Sequence, residues 1–301
     1  MIDASTRYCA VFGHPIRHSA SPAMQNAGIL ALDLNWRYLA FDVLPENLRA
    51  AIDGAKAMKF IGLNLTVPHK LLAMELVDVL DESAKIWGAV NTIRFEARVN
   101  ENWVPLCQCP AEGAQEIRSH GFNTDADAVI RSIREDLGLE PQGISAVVLG
   151  AGGAGRVAAL KLADAGVANL FLVNRTRHKA GEVAREVQER FPGVNTALDY
   201  PDGRVDLLLN ATSLGLRPDD PLPLDIRRFP INNARAVYDM IYRPAETPLL
   251  KLAREVGCAT ANGLGMLLYQ GAKALEIWCG RAVPISIMRE ALTKNIHPTG
   301  Q

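Results

Sequence analysis

The chain has 301 residues, 49% of them hydrophobic and 22% charged, a globular composition long enough for two ordinary domains. Lys and Arg number 32 against 33 Asp and Glu, so no net field favours nucleic acid or an anionic membrane. No apolar run approaches the roughly 18 residues of a membrane span, and MIDASTRY at the start lacks a signal pattern, so a cytoplasmic location is expected.

In chain order, Tyr8–Phe12 reads as a strand and Ser21–Leu32 as a helix with Pro22 near its first position. Arg37–Val43 is strand-like, Pro45–Ala57 helical and Phe60–Leu65 strand-like again. The strand ends in Val67-Pro68, where a proline without an N–H suits the start of a helix carrying His69 and Lys70. The segment Ala97–His120 is irregular, with turn signals and a strand near Trp103–Cys107, and reads as a hairpin plus a loop or short helix. A helix follows over about Asp125–Leu137.

A second series then alternates strand and helix. ISAVVLG, NLFLVN, VDLLLN and AVYDMI are strands; Gly153–Ala165, Arg177–Arg190 and ETPLLKLAREVG are helices, the last closed by Gly257. LGMLLYQGAKALEIW is a long helix with an apolar face. Such alternation predicts βαβ units and mainly parallel sheets. The expected class is α/β. Residues 1–125 are expected to form one domain, rejoined by a C-terminal helical segment over about 264–301, and residues 126–263 a nucleotide-binding one.

Gly150, Gly152 and Gly155 form G-x-G-x-x-G between an apolar strand and an alanine-rich helix, the context that makes this pattern informative. Glycines there permit the tight turn and the close backbone approach of a pyrophosphate, which the free N–H groups of the helix start then hold. The next strand ends in LVNRTRHK. An NAD site usually has an acid there; this chain has Asn174 and Arg175, with Thr176, Arg177 and Lys179 beyond. Cations at a helix start oppose its dipole unless an anion is bound, so NADP with its 2′-phosphate is the expected cofactor. The five cysteines include a C-x-C at Cys107–Cys109 but no C-x-x-C, and no H-E-x-x-H occurs, so free thiols and no metal are expected.

Several further motifs stand in order: GHPIRHSASPAMQN (13–26), NLTVPHK (64–70), GAVNT (88–92), NTD (123–125), NATSLG (210–215), YDMIY (238–242), TPLL (247–250) and NGLGMLLYQGA (262–272). With GAGGAG and NRT they resemble the shikimate dehydrogenase family over about residues 8–280. The resemblance implies two α/β domains with a cleft between them, residues 1–125 being the substrate-binding and catalytic domain and residues 126–263 the Rossmann-type NADP-binding domain. The reaction it implies is NADPH-dependent interconversion of 3-dehydroshikimate and shikimate, a step of chorismate and aromatic amino acid biosynthesis. It implies that Ser19 and Ser21 bind the substrate carboxylate. Thr66, Asn91, Asp125 and Gln270 would bind its hydroxyls, with Asn64 and Tyr242 nearby, and Lys70 and Asp125 would be the catalytic pair. Gly150, Ala151, Gly152, Gly153, Ala154, Asn174, Arg175, Thr176, Lys179, Thr212, Ser213, Met240 and Gly263 would line the cofactor. A relative acting on quinate or another polyol acid is the near alternative, and a non-catalytic NADP-binding sensor a further one. The partners implied are small molecules, with the chain a monomer or homodimer.

Two positions depart from the family pattern: Gln25 stands where a histidine is usual, and Ala126 where a glycine follows N-T-D. The interval from Asn91 to Asp125 is also long for the family, and Ala97–His120 accounts for the excess as an elaboration of the substrate domain. The chemistry suits the residues. Oxidising an alcohol by hydride loss leaves a proton on oxygen, which Lys70 can take or, in reverse, return. Lys70 and Asp125 are treated as one titrating unit.

Overall fold

The computed structural model describes residues 2–109 and 116–296. The chain separates into two compact units, one of residues up to Asp125 with those from Leu268 onward, the other Ala126–Leu267.

The first unit opens with β1 (Arg7–Gly13), α1 (Ser21–Ala31), β2 (Trp36–Asp42), α2 (Leu48–Ala57) and β3 (Gly62–Leu65). A single turn, α3 (His69–Leu72), follows, then β4 (Val79–Leu80), α4 (Glu82–Trp87), β5 (Thr92–Val99), β6 (Asn102–Pro105) and β7 (Ile117–Phe122). Its seven strands run in the order β2-β1-β3-β5-β7-β4, with β6 on the side of β5. The sheet is mixed, which corrects the mainly parallel expectation for this half. β5 is antiparallel to β3, β6 and β7. For the β5–β6 pair the reason is local: Asn100 and Glu101 both adopt positive φ between Val99 and Asn102, a two-residue hairpin turn that reverses the chain at once. The irregular segment therefore extends the first sheet, although residues 110–115 of it lie outside the described residues.

α5 (Asp125–Leu137) leads into the second unit. There β8 (Ser145–Leu149), α6 (Gly153–Asp164), β9 (Asn169–Val173), α7 (Arg177–Arg190), β10 (Asn195–Ala197) and β11 (Val205–Asn210) alternate. β12 (Ala234–Asp239), α8 (Pro248–Glu255) and β13 (Ala259–Asn262) complete it. The sheet order is β10-β9-β8-β11-β12-β13, every pair parallel. This is the 3-2-1-4-5-6 order of doubly wound nucleotide-binding folds, whose ligands sit beyond the carboxyl ends of the strands. Val147, Leu149, Leu208 and Val237 of its central strands are buried against Phe229, Leu249 and Leu250.

α9 (Leu264–Cys279) and α10 (Ile285–Ile296) end the described chain. The break between the units falls inside α9, at Leu267/Leu268. Beyond that point Trp278 is fully buried in the first unit, its indole N–H donating to the Ile93 carbonyl at 2.9 Å. Polar or very short elements escape the sequence pattern: α4, β4, β10 and β13 carry too few apolar residues to show a period.

Candidate active site

Lys70 is the second residue of α3, and Asp125 opens α5. Their side chains meet at 2.7 Å, Lys70 Nζ donating to Asp125 Oδ2, with 30% and 13% of the side chains exposed. The pair is thus partly desolvated yet open to a ligand. The adjacency of β3, β5 and β7 makes the contact, because each residue follows the end of one of these strands.

Asp125 is held by its neighbours. Its N–H donates to Asn123 Oδ1 at 3.1 Å, and Asn123 Nδ2 donates to the Ala89 carbonyl at 3.0 Å. Asn91 clamps Thr124: its Oδ1 accepts from the Thr124 N–H at 2.8 Å, and its Nδ2 donates to Thr124 Oγ1 at 3.0 Å. Asn64 is engaged on both sides. Its Oδ1 accepts from the Tyr38 hydroxyl at 2.8 Å, and its Nδ2 donates to Thr92 Oγ1 at 3.1 Å. A buried polar chain therefore runs Tyr38–Asn64–Thr92–Asn91–Thr124 to the residue before Asp125. Such a chain, fully satisfied, rigidifies what it connects. Burial pushes the Tyr38 phenol well above its ordinary range, so it stays a neutral donor. Sequence reading singled out Asn64 and Asn91 as substrate contacts; the structure also makes them braces of the catalytic corner.

Thr66 follows β3 half-buried, its methyl in close approach to Gly13, where a Cβ would lie 2.4 Å from Thr66 Cγ2. Ser21 is the buried first residue of α1, and Ser19 is half-buried just before it, its Oγ accepting from the Ser21 N–H at 3.4 Å. Neither serine caps α1, whose Ncap is Ala20, and the Ser21 hydroxyl is in hydrogen-bonding contact with the Tyr38 phenol. Gln270 lies half-buried on α9. Beside it Gln25, fully buried, donates from Nε2 to the Gly271 carbonyl at 2.8 Å. Lys70, Asp125, Asn64, Thr66, Asn91, Ser19, Ser21 and Gln270 all belong to the first unit; Tyr242 belongs to the second. Burial pushes the Tyr242 phenol up.

In the second unit the glycine-rich turn joins β8 to α6. Gly150 has φ +102°, and a Cβ on Gly155 would lie 2.0 Å from the Gly150 carbonyl oxygen, so the turn closes only with glycine at both. Cβ atoms on Gly152 and Gly153 would meet nothing within 4 Å. The Ncap of α6, Gly152, offers no side-chain cap, which leaves N–H groups facing an open cradle beside Ala151 and Ala154. Asn174 ties this turn to the next strand end, its Oδ1 accepting from the Ala151 N–H at 3.1 Å and its Nδ2 donating to the Thr176 carbonyl at 2.9 Å. Thr176 is the Ncap of α7 and makes no side-chain cap. The first turn of α7 holds no acid, and Arg175 and Lys179 are exposed. These residues fit a phosphorylated dinucleotide: an open glycine cradle, an uncapped helix start, and cations where a second phosphate needs them.

Thr212 and Ser213 follow β11, Met240 follows β12, and Gly263 follows β13. Beneath them is a set of residues whose roles sequence reading missed. Asp239 is fully buried and accepts from Thr247 Oγ1 at 2.7 Å, Asn210 Nδ2 at 3.0 Å and the Ile241 N–H at 3.1 Å. Burial raises its pKa, although all three bonds favour the ionised form. Asn210 in turn accepts from the Thr212 hydroxyl at 2.7 Å, so Asp239 braces the strand ends that present Thr212 and Met240. YDMIY and NATSLG marked these positions, but only strand adjacency joins them. Among the described residues no group of three or more His, Cys, Asp or Glu could hold a metal ion.

Sequence comparisons meet this geometry at three places. The shikimate dehydrogenase substrate binding domain matches residues 11–93, shikimate / quinate 5-dehydrogenase matches 135–213, and the shikimate 5′-dehydrogenase C-terminal domain matches 263–293. The shikimate dehydrogenase (NADP(+)) of Methanopyrus kandleri is 39% identical over 304 residues, covering 98% of both chains. The chain belongs to the shikimate dehydrogenase family. Another member, from Thermus thermophilus, solved in complex with NADP(H) and shikimate, is 34% identical with a TM-score of 0.79 over 96% of this chain and 99% of that one. The 5-ketofructose reductase of a Gluconobacter strain, in its ligand-free form, is 31% identical with a TM-score of 0.79 over 98% of this chain and 100% of that one. The family fold is therefore shared with a reductase named for a different polyhydroxy ketone.

Proposed function

We propose that this chain reduces 3-dehydroshikimate to shikimate reversibly with NADPH, the first unit binding the substrate and the second the cofactor. The Lys70–Asp125 pair carries the reading, since an amine and a carboxylate in contact at an open strand end are what a ketone reduction needs for its proton. When bound, the nicotinamide supplies the hydride or accepts it. Lys70 donates a proton to the oxygen of the forming alkoxide and takes it back in the reverse direction. Asp125 orients the amine and accepts from a neighbouring substrate hydroxyl. Ser19 and Ser21 bind the carboxylate at the start of α1, and Thr66, Asn91 and Gln270 bind hydroxyls, with Asn64 close by. On this reading the enzyme works in the cytoplasm, in chorismate and aromatic amino acid biosynthesis, as a monomer or homodimer.

Quinate or a related polyhydroxy substrate is the second reading, favoured by the match to a family that spans shikimate and quinate and by the likeness to a ketofructose reductase. Absorbance of NADPH with shikimate and with quinate separates the two by their kcat/KM. Lys70→Ala should lower kcat by roughly 10²–10⁴-fold, the usual size of a lost acid–base group, with a much smaller change in KM. Asp125→Asn should also lower kcat, and the double variant should lose little more than Lys70→Ala alone. Near-normal kcat in a folded Lys70→Ala enzyme would end the assignment, and no turnover of either substrate by the wild type would favour a sensor.

A further inference from the structure

We propose that His69 is a positioning residue for Lys70: its imidazole fixes the short helix that presents the amine to Asp125. The inference rests on the reading of Lys70 as the proton-transfer group.

The motivating observation is how little else holds α3. The helix is four residues long, and neither its Ncap, Pro68, nor any other side chain caps it. Val67, Leu71 and Leu72 around Lys70 are exposed, at 70%, 65% and 44%. His69 alone of the four helical residues is buried, and it is fully buried. Its Nε2 lies 2.8 Å from the Val43 carbonyl, just past the end of β2. A carbonyl only accepts, so Nε2 carries the proton and Nδ1 the lone pair. Two main-chain bonds also tie α3, the His69 N–H to the Thr66 carbonyl at 2.8 Å and the Val90 N–H to the Lys70 carbonyl at 2.9 Å, beside the Lys70–Asp125 pair itself. The Val43 N–H is itself bonded to the Gly13 carbonyl at 3.0 Å, so the anchor point belongs to the rigid end of the sheet.

The imidazole is also an expensive choice for stability alone. Among the described residues its buried Nδ1 has no partner, a penalty comparable to a lost hydrogen bond. Burial also holds its pKa down. A leucine would fill the space without an orphaned acceptor. What only an N–H donor supplies is the bond to Val43. Lysine has a long flexible stem, so the placement of its Cα decides how often the amine meets its partner. Small misplacement of a catalytic group is costly to rate.

The test measures kcat and KM for shikimate oxidation with NADP in His69→Leu, His69→Gln, Lys70→Ala and the His69→Leu/Lys70→Ala double variant, with thermal melting of each. Glutamine places an N–H the same number of bonds from Cβ as Nε2, so it can rebuild the bond to Val43. We expect His69→Leu to lower kcat by about ten- to a hundredfold with little change in KM, and His69→Gln to recover most of it. His69→Leu should cost nothing further once Lys70 is alanine, because it acts through that amine. A purely structural role would add its loss in both backgrounds. Unchanged kcat in His69→Leu, with Lys70→Ala impaired, overturns the positioning role and leaves the reading of Lys70 standing. Unchanged kcat in Lys70→Ala overturns that reading and this inference with it. Should His69→Leu fail to fold, an impaired but folded His69→Gln overturns the role of the donor, and a wild-type-like His69→Gln supports it.

Discussion

Replacing Glu96 by Gln should weaken the first unit by up to about 3 kcal/mol at neutral pH, from the linkage below. Glu96 lies in β5 with only 2% of its side chain exposed. It faces Arg94, Arg118 at 2.7 Å and His120 at 3.0 Å, the last two on the neighbouring strand β7 that leads to Asp125. Burial opposes ionisation of the carboxyl, but the bonds from His120, Arg94 and Arg118 overcome it and hold the pKa at about 2 instead of the ordinary 4.5. At about 1.4 kcal/mol per pH unit, that difference is worth about 3 kcal/mol once both folded and unfolded carboxyls are ionised. The sign follows from the depressed value. The folded state binds the proton less tightly, so the contribution is complete above about pH 4.5 and disappears as pH falls through about 2. Gln keeps the shape and one acceptor but not the charge, and Arg94 and Arg118 are 23% and 27% exposed, so rehydration recovers part of the loss. Urea unfolding of both proteins at pH 7 and in steps down to about pH 3 reads the difference directly. It should be largest at pH 7 and shrink with acidification. A difference within about 0.5 kcal/mol at pH 7, the range of an ordinary surface change, or one that ignores pH, would refute the reasoning.

Arg175→Asp should raise KM for NADP at least about tenfold while sparing or improving NAD use, because Arg175 is exposed at the uncapped start of α7, where a 2′-phosphate would sit. Steady-state assays with both cofactors check this; equal loss for the two would mean that Arg175 only supports the fold. Gly155→Ala should cost about 1–3 kcal/mol and weaken NADPH binding, since the new Cβ would lie 2.0 Å from backbone oxygen of Gly150 that has no room to move. Thermal melting and NADPH fluorescence titration measure the two effects, and an unchanged affinity would show that the turn relaxes more easily than its geometry suggests.

Much of the second unit is legible from sequence because its signals are local. An apolar run followed by G-x-G-x-x-G and an alanine-rich helix specifies β8, the turn and α6 within about 20 consecutive residues, and each glycine answers to a backbone constraint inside that same stretch. The absence of an acid after LVN is likewise a one-position fact. The catalytic half is different. Its motif residues can be named in the sequence, but Lys70 and Asp125 are 55 residues apart, and they touch only because β3, β5 and β7 lie side by side. No periodicity specifies that order; it depends on the long-range pairings of β5 with β3 and with β7. The β5–β7 ladder buries Glu96 among cations, and the β3–β5 pairing sets Asn64 opposite Thr92 so that Asn64 and Asn91 become braces. Likewise, His69 reads in the sequence as just another polar residue beside a lysine. Its anchoring bond exists because β2 ends where α3 begins, a tertiary coincidence of backbone carbonyl and imidazole. Hydrogen-bond partners distant in the chain are chosen by strand order and burial, and these are properties of the packed structure.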